Sequence, residues 1–123
     1  EALVEAYLQR LQDQRLDYTN AFRALSSELE VASPFHDRWR MRLAREGRPR
    51  EDVVARMNRA NPVVVPRNHQ IEKAIAEARQ GDFERFHALG SALASPYEES
   101  PALAPFQAPP TPDEVVQRTF CST

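Results

Sequence analysis

The stretch Met57–Phe83, MNRANPVVVPRNHQIEKAIAEARQGDF, decides how the rest of the chain must fold. A helix has to end near Asn61, because Pro62 disfavours helical backbone at the residue before it. Three valines lie between Pro62 and Pro66. They favour an extended crossover over a sheet strand, since no second strand candidate occurs anywhere in the chain. The stretch therefore predicts two helical parts joined by a short extended segment.

Beyond the crossover the same stretch predicts a pair of helices. One starts at Asn68, which is the expected N-cap, and ends at Gly81. Asp82 follows directly as the expected N-cap of the next helix, so the two helices form an αα-hairpin. Their apolar faces are Ile71, Ala74, Ile75 and Ala78 in one, and Phe83, Phe86, Leu89 and Leu93 in the other.

Four further helices are predicted before this stretch. Asp17 is the expected N-cap of the second, and Ser33 with Pro34 begins the third, which ends at Gly47. Pro49 opens the fourth. Their apolar faces are Val4, Tyr7, Leu8 and Leu11; Tyr18, Phe22, Leu25 and Leu29; Phe35, Trp39 and Leu43; and Val53, Val54 and Met57.

A proline-rich segment follows the last helix, which ends at Ser95-Pro96. Its prolines forbid a continuous helix and favour an extended tail, with a helical turn over 113–117 as the one exception. Tyr97, Phe106 and Phe120 are the expected aromatic anchors of this tail. We therefore expect an all-α fold of five to six helices, with a helical domain over 1–95 and an extended tail over 96–123.

Composition limits the class of protein. A chain of 123 residues with 41% hydrophobic and 28% charged residues suits one globular domain. The net charge of −2 offers nothing that attracts nucleic acid or an anionic membrane, and no apolar run approaches the roughly 20 residues of a membrane helix. One cysteine makes a reduced cytosolic setting the default, and the N-terminal sequence indicates a piece of a longer protein rather than a signal peptide.

Three groups of residues could carry chemistry, and each has a simpler structural interpretation. The basic run could contact phosphate or RNA, but interleaved acids favour a solvated face or a surface that docks on an acidic neighbour. The histidines lack the spacing of a metal site, and two adjacent carboxylates are typical of an exposed loop. These groups are Arg38, Arg40, Arg42, Arg45, Arg48 and Arg50; His36, His69 and His87; and Glu98 and Glu99.

Polar residues also bracket the crossover, and one cysteine lies near the end of the chain. Asn58, Asn61, Arg67 and Asn68 either present polar groups to a ligand or partner, or order the turn and cap the next helix. Cys121 is a candidate for redox chemistry, because a terminal thiol is accessible.

Several motifs occur in the order of a known family. They are Asp17-Tyr18-Thr19-Asn20, Phe22-Arg23, Leu25-Ser26, Arg56-Met57-Asn58, Asn61-Pro62, Arg67-Asn68, Ala74-Ile75, Gly81-Asp82-Phe83, Pro96-Tyr97-Glu98 and Cys121-Ser122-Thr123. In these the chain resembles the C-terminal region of the selenoprotein O family, whose bacterial members are the YdiU proteins. It departs from the family at Val63-Val64-Val65-Pro66 and at Glu99-Ser100.

The resemblance implies a larger protein with a kinase-like fold, similar to a pseudokinase, in the bacterial cytoplasm. It implies transfer of AMP from ATP to Ser, Thr or Tyr hydroxyls of proteins, with Mg²⁺ or Mn²⁺. The family's catalytic, nucleotide-binding and metal-binding residues lie upstream, so this segment is expected to bind no cofactor or metal and to be non-catalytic by itself. Its partners would be the upstream kinase-like domain and the protein substrates of the parent.

The resemblance assigns one residue a chemical role. Cys121 matches the position where some eukaryotic members carry selenocysteine, which implies a redox role that could include a bridge to a cysteine of the catalytic part. The structural motif positions that match are Asp17, Asn20, Arg23, Asn61, Pro62, Arg67, Asn68, Gly81 and Asp82.

Two other classes of function stay open from the residues. The chain could be a stand-alone helical module that docks a protein or RNA partner through its arginine-rich face. It could also be the scaffold part of a parent that has lost its activity. Coding sequence upstream would argue against the first, and retained nucleotide- and metal-binding residues there would argue against the second.

Overall fold

The computed structural model describes residues 1–115, and within that part the chain is all-helical without a β-strand. This confirms the predicted fold class. Six helices match the expected number, and a seventh of four residues lies in the proline-rich segment. They are α1 Ala2–Gln14, α2 Tyr18–Ala24, α3 Pro34–Glu46, α4 Arg50–Ala60, α5 Asn68–Arg79, α6 Glu84–Ala94 and α7 Ala104–Gln107.

The contacts divide the chain into two compact units, Glu1–Pro62 and a second that begins at Val63. This boundary differs from the expected one between residues 95 and 96. The reason is that the proline-rich segment completes the second core: Leu103 and Phe106 are buried there together with Val64 of the crossover. Burial of these apolar side chains ties the tail to the helices that precede it.

The first unit has a buried core of aromatic and aliphatic side chains from α1, α3 and the turns that follow α2. Its buried members are Tyr7, Leu11, Leu25, Leu29 and Trp39. The tyrosine ring meets Phe22 edge-to-face, with 5.0 Å between ring centroids. This geometry is one that aromatic pairs favour.

Two of the predicted apolar faces in the first unit are wrong in part. In α1, Tyr7 and Leu11 are buried as expected, but Val4 and Leu8 are exposed and Leu3 packs against the core instead. In the second predicted helix, α2 ends at Ala24 and continues as a 3₁₀ turn over Leu25–Ser27. The expected stripe therefore does not run along one helix, and its first member, Tyr18, is exposed.

Helix ends in the first unit follow the sequence. The Asp17 carboxylate accepts the Asn20 N–H at 3.0 Å, and the Ser33 hydroxyl accepts the His36 N–H at 3.1 Å. Gly47 ends α3 with a φ of 66°. All three caps are confirmed.

The second unit begins with the predicted crossover. Val63 and Val64 are buried, and the Val63 N–H donates to the Pro96 carbonyl oxygen at 2.7 Å. The bond fastens the crossover to the end of α6, and the segment is extended without being a strand. That expectation is confirmed.

The hairpin is present, and Gly81 ends α5 as expected. With a φ of 91°, it donates its N–H to the Ala78 carbonyl, while the Asp82 N–H reaches the Glu77 carbonyl, both at 3.0 Å. These two bonds make a Schellman motif. The left-handed backbone explains why glycine stands at this position.

Both predicted N-caps of the hairpin are wrong. Arg67, not Asn68, occupies the N-cap position of α5, where no side chain caps the helix. Asp82 lies one residue before the N-cap of α6, which is Phe83, and its carboxylate accepts the Glu84 N–H at 3.0 Å in a local turn. Each polar residue was placed one position away from its true role, because a sequence pattern does not fix helix ends that closely.

The proline-rich segment is not extended throughout. It contains 3₁₀ turns over Pro101–Leu103 and Pro112–Glu114 on either side of α7. Lys73 of α5 forms an ion pair with Glu114. The hydrogen bond from Lys73, together with one from the Thr111 backbone, lowers the pKa of the Glu114 carboxyl to about 2. Of the expected anchors, Phe106 is buried and Tyr97 is exposed, whereas Phe120 lies outside the described residues. The redox candidate Cys121 also lies outside them.

Candidate functional site

Two motif residues of the first unit, Arg23 and Asn61, form a polar cluster at the C-terminal end of α4. Arg23 donates from Nη1 to the carbonyl oxygens of Asn58 and Asn61, both at 2.9 Å. The Asn61 side chain donates from Nδ2 to the Met57 carbonyl at 3.0 Å. A guanidinium next to carbonyls that have no partner in the helix stabilises its negative end.

This cluster links two of the motifs that are far apart in sequence. Asp17 and Asn20 are bonded to each other in the first turn of α2. Arg23, at the other end of this helix, binds two residues that follow it by 35 and 38 positions in the sequence. Asn61 has the extended backbone expected before Pro62. The structure therefore gives Asp17, Arg23 and Asn61 structural roles as helix caps.

The motif residues of the second unit lie at its helix ends and do not converge on one point. Next to Arg67 and Asn68, the first turn of α5 buries His69 and Gln70. The Gln70 amide donates to the Pro105 carbonyl at 3.0 Å, while no residue of the described part of the chain bonds its buried Oε1. The amide thus binds the proline-rich segment to α5, which the sequence did not indicate.

The basic run divides into two sets. Three of its arginines have structural partners. Arg40 donates to the carbonyl oxygens of Leu29 at 3.0 Å and Val31 at 2.7 Å. Arg48 forms an ion pair with Asp52 at 3.5 Å, and Arg50 forms one with Glu30. The other set, Arg38, Arg42 and Arg45, lies on the outer side of α3. In the described part of the chain only Arg42 of these forms an ion pair, with Glu46 at 3.6 Å.

A hydroxyl, an imidazole and a carboxylate meet at the start of α3. His36 is fully buried, with Nδ1 2.7 Å from the Ser33 Oγ and Nε2 2.9 Å from the Glu28 carboxylate. The order resembles a nucleophile, base and orienting acid. However, the imidazole is out of reach of any substrate, and the Ser33 oxygen already caps α3. The three groups form a structural network, and sequence spacing had not singled out His36.

The same region holds the one tyrosine with a strongly shifted pKa in the described chain. Burial raises the pKa of Tyr7 to about 12, the Glu28 charge adds to this increase, and Arg10 opposes it. The hydroxyl donates to the Ala21 carbonyl at 3.0 Å. A neutral tyrosine with a satisfied donor has a role in packing and not in proton transfer.

No cluster of metal-binding side chains occurs over residues 1–115. Glu98 and Glu99 line a groove of about 330 Å³ between α6 and the proline-rich segment, whose other walls include Ser91, Leu103 and Phe106. Both carboxylates are exposed. The described residues therefore present structural networks and surfaces, and no catalytic constellation has been found among them.

Several known proteins similar to this chain carry the same name. One is the protein nucleotidyltransferase YdiU of Rhizobium meliloti strain 1021. Its alignment with this chain is 138 positions long, has 38% identity and covers 98% of the chain. The chain is 35% and 39% identical over 133 residues to the YdiU proteins of Bacillus mycoides and Alkaliphilus metalliredigens, which cover all of it. This chain belongs to the YdiU family. It matches a segment of 27–28% of the length of these relatives.

Other comparisons bear on the fold less directly. No family model and no solved structure matches the chain. Within residues 1–115, none of the helices has the length and apolar character that a membrane crossing requires. Membership of the YdiU family therefore rests on sequence similarity over the whole chain.

Proposed function

We propose that this chain is the helical, non-catalytic segment of a protein adenylyltransferase that transfers AMP from ATP to Ser, Thr or Tyr hydroxyls. The observation that carries the proposal is the similarity, along the whole chain, to proteins named as protein nucleotidyltransferases. The described residues agree with a structural role, because their polar networks cap helices and hold neighbouring segments together. ATP, Mg²⁺ or Mn²⁺ and the kinase-like catalytic residues would belong to the remaining part of the parent.

The partners follow from the same proposal. The segment would pack on the kinase-like domain of its own polypeptide, and the protein substrates would be partners of the whole enzyme in the bacterial cytoplasm. The proposal assigns no nucleic acid to the segment, because the net charge of −2 supplies no counter-charge for a phosphate backbone.

The position of the label in ATP tests the reaction type. The complete polypeptide is incubated with a protein acceptor, Mg²⁺ or Mn²⁺, and ATP labelled on either the α- or the γ-phosphate. Transfer of AMP leaves the α-label on protein and releases the γ-label with pyrophosphate. A γ-label on protein would instead show phosphoryl transfer and would contradict the proposal.

We further propose that Cys121 has a redox role in the parent, on the basis of the family position that it matches. Cys121→Ser in the complete polypeptide should abolish a reducible cross-link seen on a non-reducing gel or by mass spectrometry of peptides. Cys121 that remains a free thiol under oxidising conditions would contradict this role.

A further inference from the structure

We propose that the outer side of α3, formed by Arg38, Met41, Arg42 and Arg45, is a docking surface for an acidic amphipathic segment in another part of the same polypeptide. We call these four residues the arginine stripe. The inference rests on the proposed function, because it requires a parent chain longer than this one.

The spacing of the arginine stripe puts its members on one side of the helix. They stand at i, i+3, i+4 and i+7, which is one helical face, while the buried residues of this helix, His36 and Trp39, lie outside that face. Met41 is 63% exposed in the middle of the stripe. The stripe lines a groove of about 350 Å³ whose far wall is Glu1, Ala2 and Leu3 at the start of the chain.

Two of the three charges of the arginine stripe are available for a partner, while Arg42 is paired with Glu46 at 3.6 Å. Arg38 and Arg45 form no ion pair or hydrogen bond with any described residue, unlike Arg40 in the same helix. Guanidinium groups favour bidentate contacts with carboxylates, and a methionine side chain adapts to irregular apolar surfaces. A segment that presents acidic residues on either side of an apolar residue therefore complements the stripe.

The rest of the polypeptide is the most suitable source of such a segment. This chain corresponds to 27–28% of the length of its relatives, so most of a protein of that size lies outside it. Two separate proteins need about 1,200 Å² or more of buried surface for a stable interface, and four residues of one helix offer less. A tethered segment needs less area, because linkage gives it an effective concentration of roughly millimolar.

Chemical modification of arginine tests the docking without any mutation. The complete polypeptide is treated in its native state with phenylglyoxal, and the modification of each arginine is followed by mass spectrometry of peptides. Arg56 and Arg59 are the references, because both are exposed on α4 and form no ion pair or hydrogen bond with described residues. A docked state favoured tenfold should slow modification of Arg38 and Arg45 about tenfold relative to the references.

The unfolded polypeptide is the control for intrinsic reactivity. In denaturant, all four arginines should react at similar rates once their surroundings are removed. Equal rates for all four in the native polypeptide would overturn the proposal, because they would show that the arginine stripe is open to solvent in the whole protein.

A pair of charge reversals tests the complementarity. Arg38→Glu with Arg45→Glu should raise the modification rate of Arg42 to that of an exposed arginine, since acidic side chains of the docked segment would then be repelled. The matched pair Arg56→Glu with Arg59→Glu changes the charge equally and should leave Arg42 protected. Protection of Arg42 that survives the first pair would overturn the charge argument.

Two further controls identify the occupant. Protection that weakens on dilution would assign the stripe to a second copy, and protection lost after nuclease treatment would assign it to nucleic acid; either result overturns the proposal. Transfer of AMP is measured separately on the same samples. Normal transfer with an open stripe would reject the docking alone, and a protected stripe without transfer would reject the enzyme function alone.

Discussion

Single polar side chains fix the ends of the helices in the first unit. Asp17 caps α2, and Arg23 at the other end of α2 binds the last carbonyls of α4. A buried acceptor that loses its partner costs about 1–3 kcal/mol, so each of these contacts matters to a domain of modest stability. Residues of the family motifs therefore have a structural explanation that needs no catalytic role.

Asp17 and Asn68 were both predicted from sequence to cap a helix, but only Asp17 does so, and the two residues therefore provide a matched comparison. Asp17→Ala should reduce the local free energy of opening of α2 by about 1 kcal/mol, because the bond to the Asn20 N–H is lost. Asn68→Ala should change the opening of α5 by less than about 0.5 kcal/mol, because no side chain caps that helix. Hydrogen exchange of first-turn amides measures both, and an equal loss in the two variants would contradict the assigned caps.

The buried tyrosine predicts a dependence of stability on alkaline pH. Tyrosine in the unfolded chain ionises near pH 10.0, whereas folding raises the pKa of Tyr7 to about 12. The stabilisation from this group is therefore complete below pH 10 and is lost as pH rises through 12, by roughly 2–3 kcal/mol.

Tyr7→Phe removes this titration. The variant should be less stable at neutral pH, because the bond to the Ala21 carbonyl is lost. The difference in unfolding free energy between the two proteins should shrink between pH 10 and 12. A difference that stays constant over this range would show that the hydroxyl ionises equally in both states.

At the scale of single residues, the sequence predicted which residues end helices better than it predicted which residues contact each other. The serine and proline before α3 indicated its start, and the structure confirms the cap. The same pattern could not show that Glu28 reaches the His36 imidazole, because the turn that brings them together is set by packing of Leu25 and Leu29 in the core. Nor could it show which arginines of the basic run bind carbonyl groups.

At the scale of helices and turns, two glycines in the same hairpin should respond in opposite ways to alanine. Gly81→Ala should destabilise the turn by about 1–2 kcal/mol, because its φ of 91° is unfavourable for a residue with a Cβ. Gly90 lies inside α6 with open space around it, so Gly90→Ala should stabilise that helix by about 0.5–1 kcal/mol. Thermal unfolding of both variants measures the effects, and changes of the same sign would contradict the turn geometry.

Helix positions were predictable, but the buried faces of helices such as α6 and α1 were not. In α6, Leu89 and Ala92 are buried, whereas Phe83 and Phe86 are exposed although they share the predicted stripe. The α1 sequence has apolar residues on more than one side, so periodicity alone does not choose its inner face. In α6 the choice follows from the proline-rich segment, whose Leu103 and Phe106 pack in the same core as Leu89.

For the whole molecule, the division into two units predicts that their stabilities can be separated. Phe106→Ala should destabilise the second unit by about 3–5 kcal/mol, because this side chain is buried in its core. Hydrogen exchange in α5 and α6 should accelerate, while the buried amides of α1 and α3 keep their protection. Unchanged exchange in α5 would show that the proline-rich segment is a separate tail, as the sequence had suggested.

The function of the molecule could not be predicted from residue chemistry. No constellation of nucleophile, base and metal ligands is evident from the sequence, and in the network of Ser33, His36 and Glu28 the imidazole is fully buried and closed to substrates. Order and spacing of the family motifs gave the family instead, and similarity to the YdiU proteins confirms it. In the proposed function, the activity depends on residues outside this segment, and the segment acts as a structural partner of the rest of the polypeptide.

The most direct test of this account compares two polypeptides in one assay. This chain and its complete parent are each incubated with ATP labelled on the α-phosphate, Mg²⁺ or Mn²⁺, and a protein acceptor. The account predicts labelled protein with the complete parent and none with this chain alone. Label transfer by this chain alone would contradict it, and so would a folded complete parent that binds ATP and transfers no label.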